Sequence, residues 1–201
     1  MNYGLSIRAA QAGDASFASS MIYLSMASLA DHLFQQNTDF IEATIAKLFV
    51  RDAGRFGCKH AYVAEFENEL VGLLVASRGD EINRFNLLTI PHLIAVLGVA
   101  QAIGFVYRTF TLPGGKEAED DEFFISNLGI LPSMQGNSFG TKMLVYAEEL
   151  ARANDLMRCS LIVGWHNTQA RRLYERIGYR IVETVRDGNE NLGYYRMVKV
   201  L

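Results

Sequence analysis

The chain has 201 residues, half of them apolar, and a formal net charge of −3 at neutral pH. A chain of this length and composition can bury one substantial core, so we expect a single domain over residues 1–201. With this slightly acidic balance we do not expect the broad basic surface that a nucleic-acid-binding protein needs.

Cysteine content and the N-terminus bear on the cellular compartment. Cys58 and Cys159 are the only cysteines. They are too few and too far apart for a zinc site, and no metal is expected. The first residues lack the charged-then-apolar layout of a secretory signal peptide. These features favour a cytoplasmic protein with reduced thiols.

The chain is predicted to begin with a short strand at residues 5–9, followed by a helix that Asp14 caps. The apolar face of this helix is expected to carry Phe17, Met21, Leu24, Met26 and Leu29. A second helix should start at Thr38 or Asp39. Residues 59–66 and 70–77 then predict two strands joined as a hairpin by a short polar turn.

Residues 81–116 form a largely apolar segment that follows this hairpin. Its central run, residues 87–106, approaches the roughly 20 residues that cross a bilayer. Pro91, His92 and Gln101 interrupt the run, so we expect no membrane span. The segment is instead predicted to be a helical insertion that packs beside a substrate site or against a second copy of the chain.

The C-terminal part alternates strands and helices. A buried strand is predicted at residues 123–130, after the acidic run 119–122. The next helix has an apolar face formed by Met143, Leu144, Ala147, Leu150 and Ala151. The remaining predicted elements are a strand at 157–163, a helix at 167–177, and a closing hairpin of strands 180–186 and 193–200 around residues 187–189.

The turn between the strand at 123–130 and its helix contains small residues and two glycines, Gly136 and Gly140. Amide groups exposed at such a helix start, together with the helix dipole, form a cradle for phosphate oxygens. The turn matches neither the dinucleotide fingerprint Gly-x-Gly-x-x-Gly nor the P-loop ending Gly-Lys-Ser/Thr.

A second pattern follows one helix and one strand later. Asn167 is a good N-cap, and Gly178 suits the left-handed position at a helix C-terminus. Between them, Ala170, Leu173, Tyr174 and Ile177 share one helix face.

Taken together and in this order, the two patterns resemble the coenzyme signatures of the GNAT (GCN5-related) N-acetyltransferase superfamily. The first is written here Gln135-Gly-Asn-Ser138-Phe-Gly140, against Gln/Arg-x-x-Gly-x-Gly/Ala in the family, so Ser138 stands where the family has glycine. The resemblance is close over residues 123–185 and holds in outline elsewhere. It implies an α/β fold with a central mixed sheet of about seven strands between helices.

The resemblance also implies acetyl-CoA as co-substrate, with its pyrophosphate on the first turn. In the family, a main-chain N–H at a bulge in the fourth strand stabilises the thioester oxygen, and Gly129 would suit that bulge. The expected coenzyme contacts are Leu128, Gly129, Ile130, Gln135, Gly136, Asn137, Ser138, Phe139, Gly140, Thr141, Asn167 and Arg171.

Acyl transfer to an amine requires an acid for the leaving thiolate and a base for the attacking amine. The resemblance gives the acid role to Tyr174; the alternative is a core tyrosine with its hydroxyl bonded elsewhere. Glu122 is the first choice for the base and Asp121 the second, unless both are solvated loop charges. Ser126 and Asn127 are candidates for the acceptor cleft.

These observations predict an N-acetyltransferase that moves an acetyl group from acetyl-CoA to a primary amine by direct attack in a ternary complex, because no cysteine lies near either signature. One alternative is a non-catalytic GNAT-like domain that senses acyl-CoA; another is transfer of a longer acyl chain. The amine, on a small molecule or a peptide, is not specified, because variable loops supply acceptor contacts. The net negative charge of the chain slightly favours cationic acceptors, because opposite charges attract.

Overall fold

The computed structural model describes residues 4–186 and 192–201. Within them, seven strands form one mixed sheet in the order β1-β2-β3-β4-β5-β7-β6, and helices cover both of its faces. The predicted fold class is confirmed. The strands are β1 (Ser6–Ala9), β2 (Ala61–Phe66), β3 (Glu69–Arg78), β4 (Phe123–Ile130), β5 (Arg158–Gly164), β6 (Arg180–Val185) and β7 (Tyr194–Val200). The helices are α1 (Ala15–Met26), α2 (Ser28–Phe34), α3 (Thr38–Val50), α4 (Ile82–Leu97), α5 (Val99–Phe110), α6 (Phe139–Ala153) and α7 (Thr168–Arg176).

The first helical region departs from the expectation in two ways. Asp14 precedes α1 but does not cap it, because its carboxylate accepts from the Gln11 N–H and pairs with Arg8 at 2.8 Å. The chain then breaks at Ala27, whose φ is 45°, so Leu29 belongs to a separate helix, α2. The side chain that caps α3 is that of the preceding Asn37, which accepts from the Phe40 N–H.

The predicted hairpin is present as β2 and β3, which pair antiparallel. Glu67 and Asn68 form its turn, both at positive φ (52° and 67°). Two consecutive residues in this conformation are the requirement of the tight hairpin turn whose twist matches the strands. The last two strands, β6 and β7, are also antiparallel, and the predicted turn at 187–189 lies outside the described residues.

The two largest apolar clusters of the described residues lie on either side of the sheet. One joins α1, α3 and the insertion helices to the sheet, with Ile45, Leu48 and Phe49 fully buried. The other joins α6 and α7 to the opposite face. The predicted stripe of α6 lies in this second cluster, where Met143 and Leu144 are fully buried.

The segment 81–116 contains α4 and α5, which Gly98 separates at φ 80°. A 3₁₀ turn, Gly54–Phe56, packs so closely on α4 that a Cβ on Gly54 would lie 2.3 Å from the Phe85 carbonyl oxygen. The hydroxyl of Thr89 donates to that carbonyl and accepts from the Arg55 N–H. Over residues 4–186 and 192–201, no helix has the length and apolar character to cross a bilayer.

Candidate active site

A fork opens in the middle of the sheet, where β4 and β5 part. These two parallel strands pair only from Phe123 to Ile125, opposite Cys159 to Leu161. Beyond that point β4 stays paired with β3 as far as Ile130. One edge of β4 is therefore held while its other edge faces an open gap.

The irregularity that starts the fork lies at Ser126, not at Gly129. On β3, Val75 pairs with Asn127 and its neighbour Ala76 pairs with Ile125, so Ser126 is the extra residue of a bulge. Such an insertion bends the strand and disrupts its ladder. Gly129 remains in regular register; a Cβ there would lie 3.1 Å from a backbone oxygen of α1, so glycine allows that helix to approach.

Beyond the bulge, β4 turns some of its backbone groups towards the gap. The Leu131 N–H donates to Val71 of β3 at 2.9 Å. Because alternate residues of an antiparallel strand face the same neighbour, Leu128 and Ile130 direct their N–H and C=O groups away from β3. The Ile130 carbonyl accordingly accepts from the Gln135 side chain. These N–H and C=O groups can form hydrogen bonds with an extended ligand in the gap, as they would with a neighbouring strand.

The turn after β4 has the conformation of an anion cradle. Gly136 has φ 86° and Ser138 has φ 62°, so both are left-handed. The first hydrogen bond of the α6 helix runs from the Lys142 N–H to the Ser138 carbonyl. The preceding amides thus have no intrahelical acceptor, and no side chain within the described residues caps the helix.

The other residues of the turn have packing roles. Asn137 donates to the Met134 carbonyl at 3.1 Å, which closes the loop. Phe139 is buried and packs on Phe66, whereas Thr141 lies in the first turn of α6. A Cβ on Gly140 would lie 3.3 Å from the Leu173 side chain, so a small residue lets α7 approach the start of α6.

The second signature is a capped helix, as predicted from its sequence. The Asn167 side chain accepts from the Ala170 N–H at 3.1 Å, so its carboxamide oxygen is used in the cap. The guanidinium of Arg171 lies over the Tyr195 ring, 5.3 Å from its centre. Gly178 has the left-handed φ of 106° that follows a helix end.

Tyr174 lies on the buried face of α7. It belongs to the apolar cluster that also contains Leu128 of β4 and Val163 of β5, the strands that flank the fork. Its ring is 6.0 Å from that of Tyr179. Burial raises the pKa of Tyr174 to about 12, so its hydroxyl stays protonated at neutral pH.

The environment of Glu122 does not fit a general base. Its side chain is 0% exposed, forms an ion pair with Arg196 and accepts from the Glu119 N–H at 2.9 Å. Asp121 is exposed but pairs with Arg158 at 2.9 Å. Both carboxylates hold the acidic loop against the sheet, and we assign them a structural role.

The bulge residues face the helices of the first apolar cluster. The Ser126 hydroxyl donates to the Val75 carbonyl at 3.1 Å. The Asn127 carboxamide donates to the Ser25 hydroxyl of α1 at 2.8 Å. Across residues 4–186 and 192–201, no group of three or more His, Cys, Asp or Glu side chains could hold a metal ion.

Comparisons with known proteins agree with this architecture. The model of the acetyltransferase (GNAT) family matches residues 26–179, more than half of the chain. The chain therefore belongs to the GNAT family of acetyltransferases. No curated protein sequence matches it.

Solved structures share the fold at low identity. An acetyltransferase structure is 20% identical with a TM-score of 0.74, over 97% of this chain and 98% of that one. An N-acetyltransferase from Staphylococcus aureus Mu50 is 21% identical with a TM-score of 0.73, over 96% and 99%. The PaiA N-acetyltransferase from Thermoplasma acidophilum, in complex with coenzyme A, is 12% identical with a TM-score of 0.56, over 98% and 99%.

Substitutions at Ser138 test whether the left-handed turn binds the coenzyme. Ser138→Gly should leave coenzyme A affinity within about threefold, because glycine adopts this conformation freely. Ser138→Val should weaken binding and lower the free energy of unfolding by about 1–2 kcal/mol. Calorimetric titration and denaturant unfolding measure the two effects. Ser133→Val, in the exposed stretch just before the turn, is the control; wild-type affinity in Ser138→Val would contradict the role of the turn.

Substitutions in the acidic loop test the structural role of Glu122. Glu122→Gln leaves Arg196 buried without its partner, which should cost about 3 kcal/mol or more of unfolding free energy. Asp121→Asn removes an exposed ion pair and should cost less than about 1 kcal/mol. Thermal and urea unfolding give both values. A Glu122→Gln protein with wild-type stability but without activity would restore Glu122 as the base.

Proposed function

We propose that this protein is an acetyl-CoA-dependent N-acetyltransferase that acetylates a primary amine by direct attack in a ternary complex. The observation that carries the proposal is the fork between β4 and β5, which lies beside the uncapped start of α6. The fork suits an extended chain that carries amides, and the start of α6 suits a diphosphate. Acetyl-CoA contains these two groups one after the other.

The coenzyme contacts follow from this arrangement. Amides of residues 136–141 would bind the pyrophosphate, aided by the positive end of the α6 dipole. The backbone of Leu128 and Ile130 would pair with the pantetheine amides. Asn167 and Arg171 would act indirectly, since the first caps α7 and the second packs on Tyr195.

Two groups are suited to the chemistry at the thioester. The Leu128 N–H faces the gap and would stabilise the negative charge that develops on the carbonyl oxygen. Tyr174 would protonate the departing thiolate, whose affinity for a proton is that of an ordinary thiol, with a pKa of about 8.5. The phenol then regains a proton from solvent.

The state of the cysteines favours direct transfer over a covalent acyl-enzyme. Cys159 is fully buried, and burial raises its pKa to about 12. Burial also raises the pKa of Cys58. A thiolate nucleophile is therefore scarce at neutral pH. Neither cysteine forms a disulfide. Because thiols stay reduced in the cytoplasm, we propose that the protein is located there.

A non-catalytic acyl-CoA sensor is the competing function, favoured by the burial of Glu122, which removes the expected base. Acetyl-CoA turnover against a panel of amines separates the two. The enzyme releases free thiol with some amine, whereas the sensor binds the coenzyme and releases none.

We also propose that the protein forms a homodimer through α5. Val99, Ile103 and Tyr107 recur every four residues on one side of this helix and are 61%, 64% and 68% exposed. A contiguous exposed apolar stripe is a common mark of an interface. Two copies related by a two-fold axis would cover each other's stripe. Sedimentation velocity would show the dimer, and a monomer at all concentrations would exclude it.

Replacement of Tyr174 tests its role as the acid. Tyr174→Phe removes only the hydroxyl and should lower kcat by about 100-fold, with the Kd for acetyl-CoA unchanged. Tyr179→Phe, a buried tyrosine of the same cluster, is the matched control and should retain wild-type kcat. Steady-state kinetics and calorimetry provide the values. Equal turnover in the two variants would remove Tyr174 from the mechanism.

A further inference from the structure

Helix α1 contacts β4 at two points, one on each side of Leu128. Before Leu128, the Asn127 carboxamide donates to the Ser25 hydroxyl near the end of α1 at 2.8 Å, and this bond joins residues 102 positions apart in the sequence. After Leu128, the backbone of Gly129 lies so close to α1 that a Cβ would be 3.1 Å from the Met21 carbonyl oxygen. Both neighbours of Leu128 are therefore held by the same helix.

The Ser25 hydroxyl has a fixed direction. It donates to the Ile22 carbonyl in the last turn of α1 at 2.8 Å. A hydroxyl has one proton to donate, so a lone pair of this oxygen is left for the Asn127 amide. The anchor is firm, because Met21 and Ile22 are buried in the first apolar cluster. A continuous chain of hydrogen bonds thus connects β4 to the backbone of α1.

The side chain of Leu128 is held on the opposite face of the sheet. Successive side chains of a strand point to opposite faces. Asn127 and Gly129 face α1, whereas Leu128 packs against the second apolar cluster, which contains Tyr174. The peptide group between Asn127 and Leu128 is therefore held from both faces, and its N–H is directed along the sheet into the gap. The bulge at Ser126 disrupts the ladder just before this peptide, so side-chain contacts have to fix its orientation.

We propose that the hydrogen bond between Asn127 and Ser25 positions the Leu128 N–H for catalysis, which makes these two side chains positioning residues of the acetyl transfer. The proposal rests on the proposed function, in which this N–H stabilises the negative charge on the thioester oxygen. When the amine attacks, an electron pair of the C=O bond moves onto the oxygen, and it returns when the C–S bond breaks. A donor stabilises such a charge best when it is already in place before the charge appears.

The hydrogen bond should matter for turnover and not for coenzyme affinity. Under the proposed function, the other coenzyme contacts come from Ile130 and from the amides of residues 136–141, which follow the held peptide along the chain. A small rotation of the peptide before Leu128 would misalign the donor towards the reacting oxygen. The pyrophosphate cradle would keep its shape.

Removal of either partner tests the proposal. Asn127→Ala and Ser25→Ala should each lower kcat at least about tenfold, with the Kd for acetyl-CoA unchanged. Because both variants lose the same hydrogen bond, the double variant should be no slower than the slower single one. Ser25→Thr keeps a hydroxyl that can bond to the preceding turn of the helix, and it should recover most of the lost turnover. Steady-state kinetics and calorimetric titration provide these values.

The matched control is Ser20→Ala on the same helix. The Ser20 hydroxyl donates to Glu42 of α3 at 2.6 Å, so this variant also loses a hydrogen bond of α1, but one that leads to another helix and not to β4. It should retain the wild-type kcat. Wild-type kcat in Asn127→Ala and Ser25→Ala, or an equal loss in Ser20→Ala, would overturn the positioning role.

A spectroscopic measurement tests the donor without any turnover. Acetyl-CoA labelled with ¹³C at the acetyl carbonyl is bound to the protein in the absence of an amine. A hydrogen bond from the Leu128 N–H polarises this carbonyl, so its resonance in the wild-type complex should lie downfield of that of free acetyl-CoA. The displacement should be smaller in Asn127→Ala and Ser25→Ala and unchanged in Ser20→Ala. Equal displacement in all four proteins would overturn the inference.

Failure of this inference differs from failure of the proposed function. If the wild-type protein binds no acetyl-CoA or acetylates no amine, the proposed function is wrong and the inference is lost with it. If the wild-type protein is active and Asn127→Ala and Ser25→Ala match it in kcat and in carbonyl resonance, only the inference is wrong. Should Asn127→Ala not fold, Ser25→Ala decides the question alone, because it removes a single oxygen atom from a helix.

Discussion

The parting of β4 from β5 after Ile125 is the constraint on which the site depends. A buried strand edge is costly unless its N–H and C=O groups find partners. Because β3 holds the other edge of β4, the strand cannot turn to satisfy these groups, and Leu128 and Ile130 remain directed into the gap. The start of α6 adds a second set of unpaired amides at the end of the same strand. Under the proposed function, a ligand with two amides and a diphosphate would satisfy both sets at once.

Much of this arrangement could be predicted from local sequence. The bounds of β4, the apolar stripe of α6 and the Asn167 cap all follow from periodicity and from residues close along the chain. The bulge could not be predicted, because its position at Ser126 depends on register with β3. The burial of Glu122 could not be predicted from the sequence either, because its partner Arg196 lies on β7, far away along the chain.

The insertion shows how tertiary packing fixes the place of a segment whose role the sequence leaves open. Helix α4 docks on the 3₁₀ turn at Gly54–Phe56, and a Cβ on Gly54 would lie 2.3 Å from the Phe85 carbonyl oxygen. This close approach joins residues about thirty positions apart in the sequence, so local patterns could not predict it. The following helix, α5, leaves Val99, Ile103 and Tyr107 exposed on one side.

The most direct test of the account is an NMR titration of the isotope-labelled protein with coenzyme A, which reports on individual backbone amides. The account predicts that the amides of residues 136–141 and of Leu128 and Ile130 shift together and saturate at one stoichiometric equivalent. Binding that leaves these amides unperturbed, or no binding at all, would contradict it.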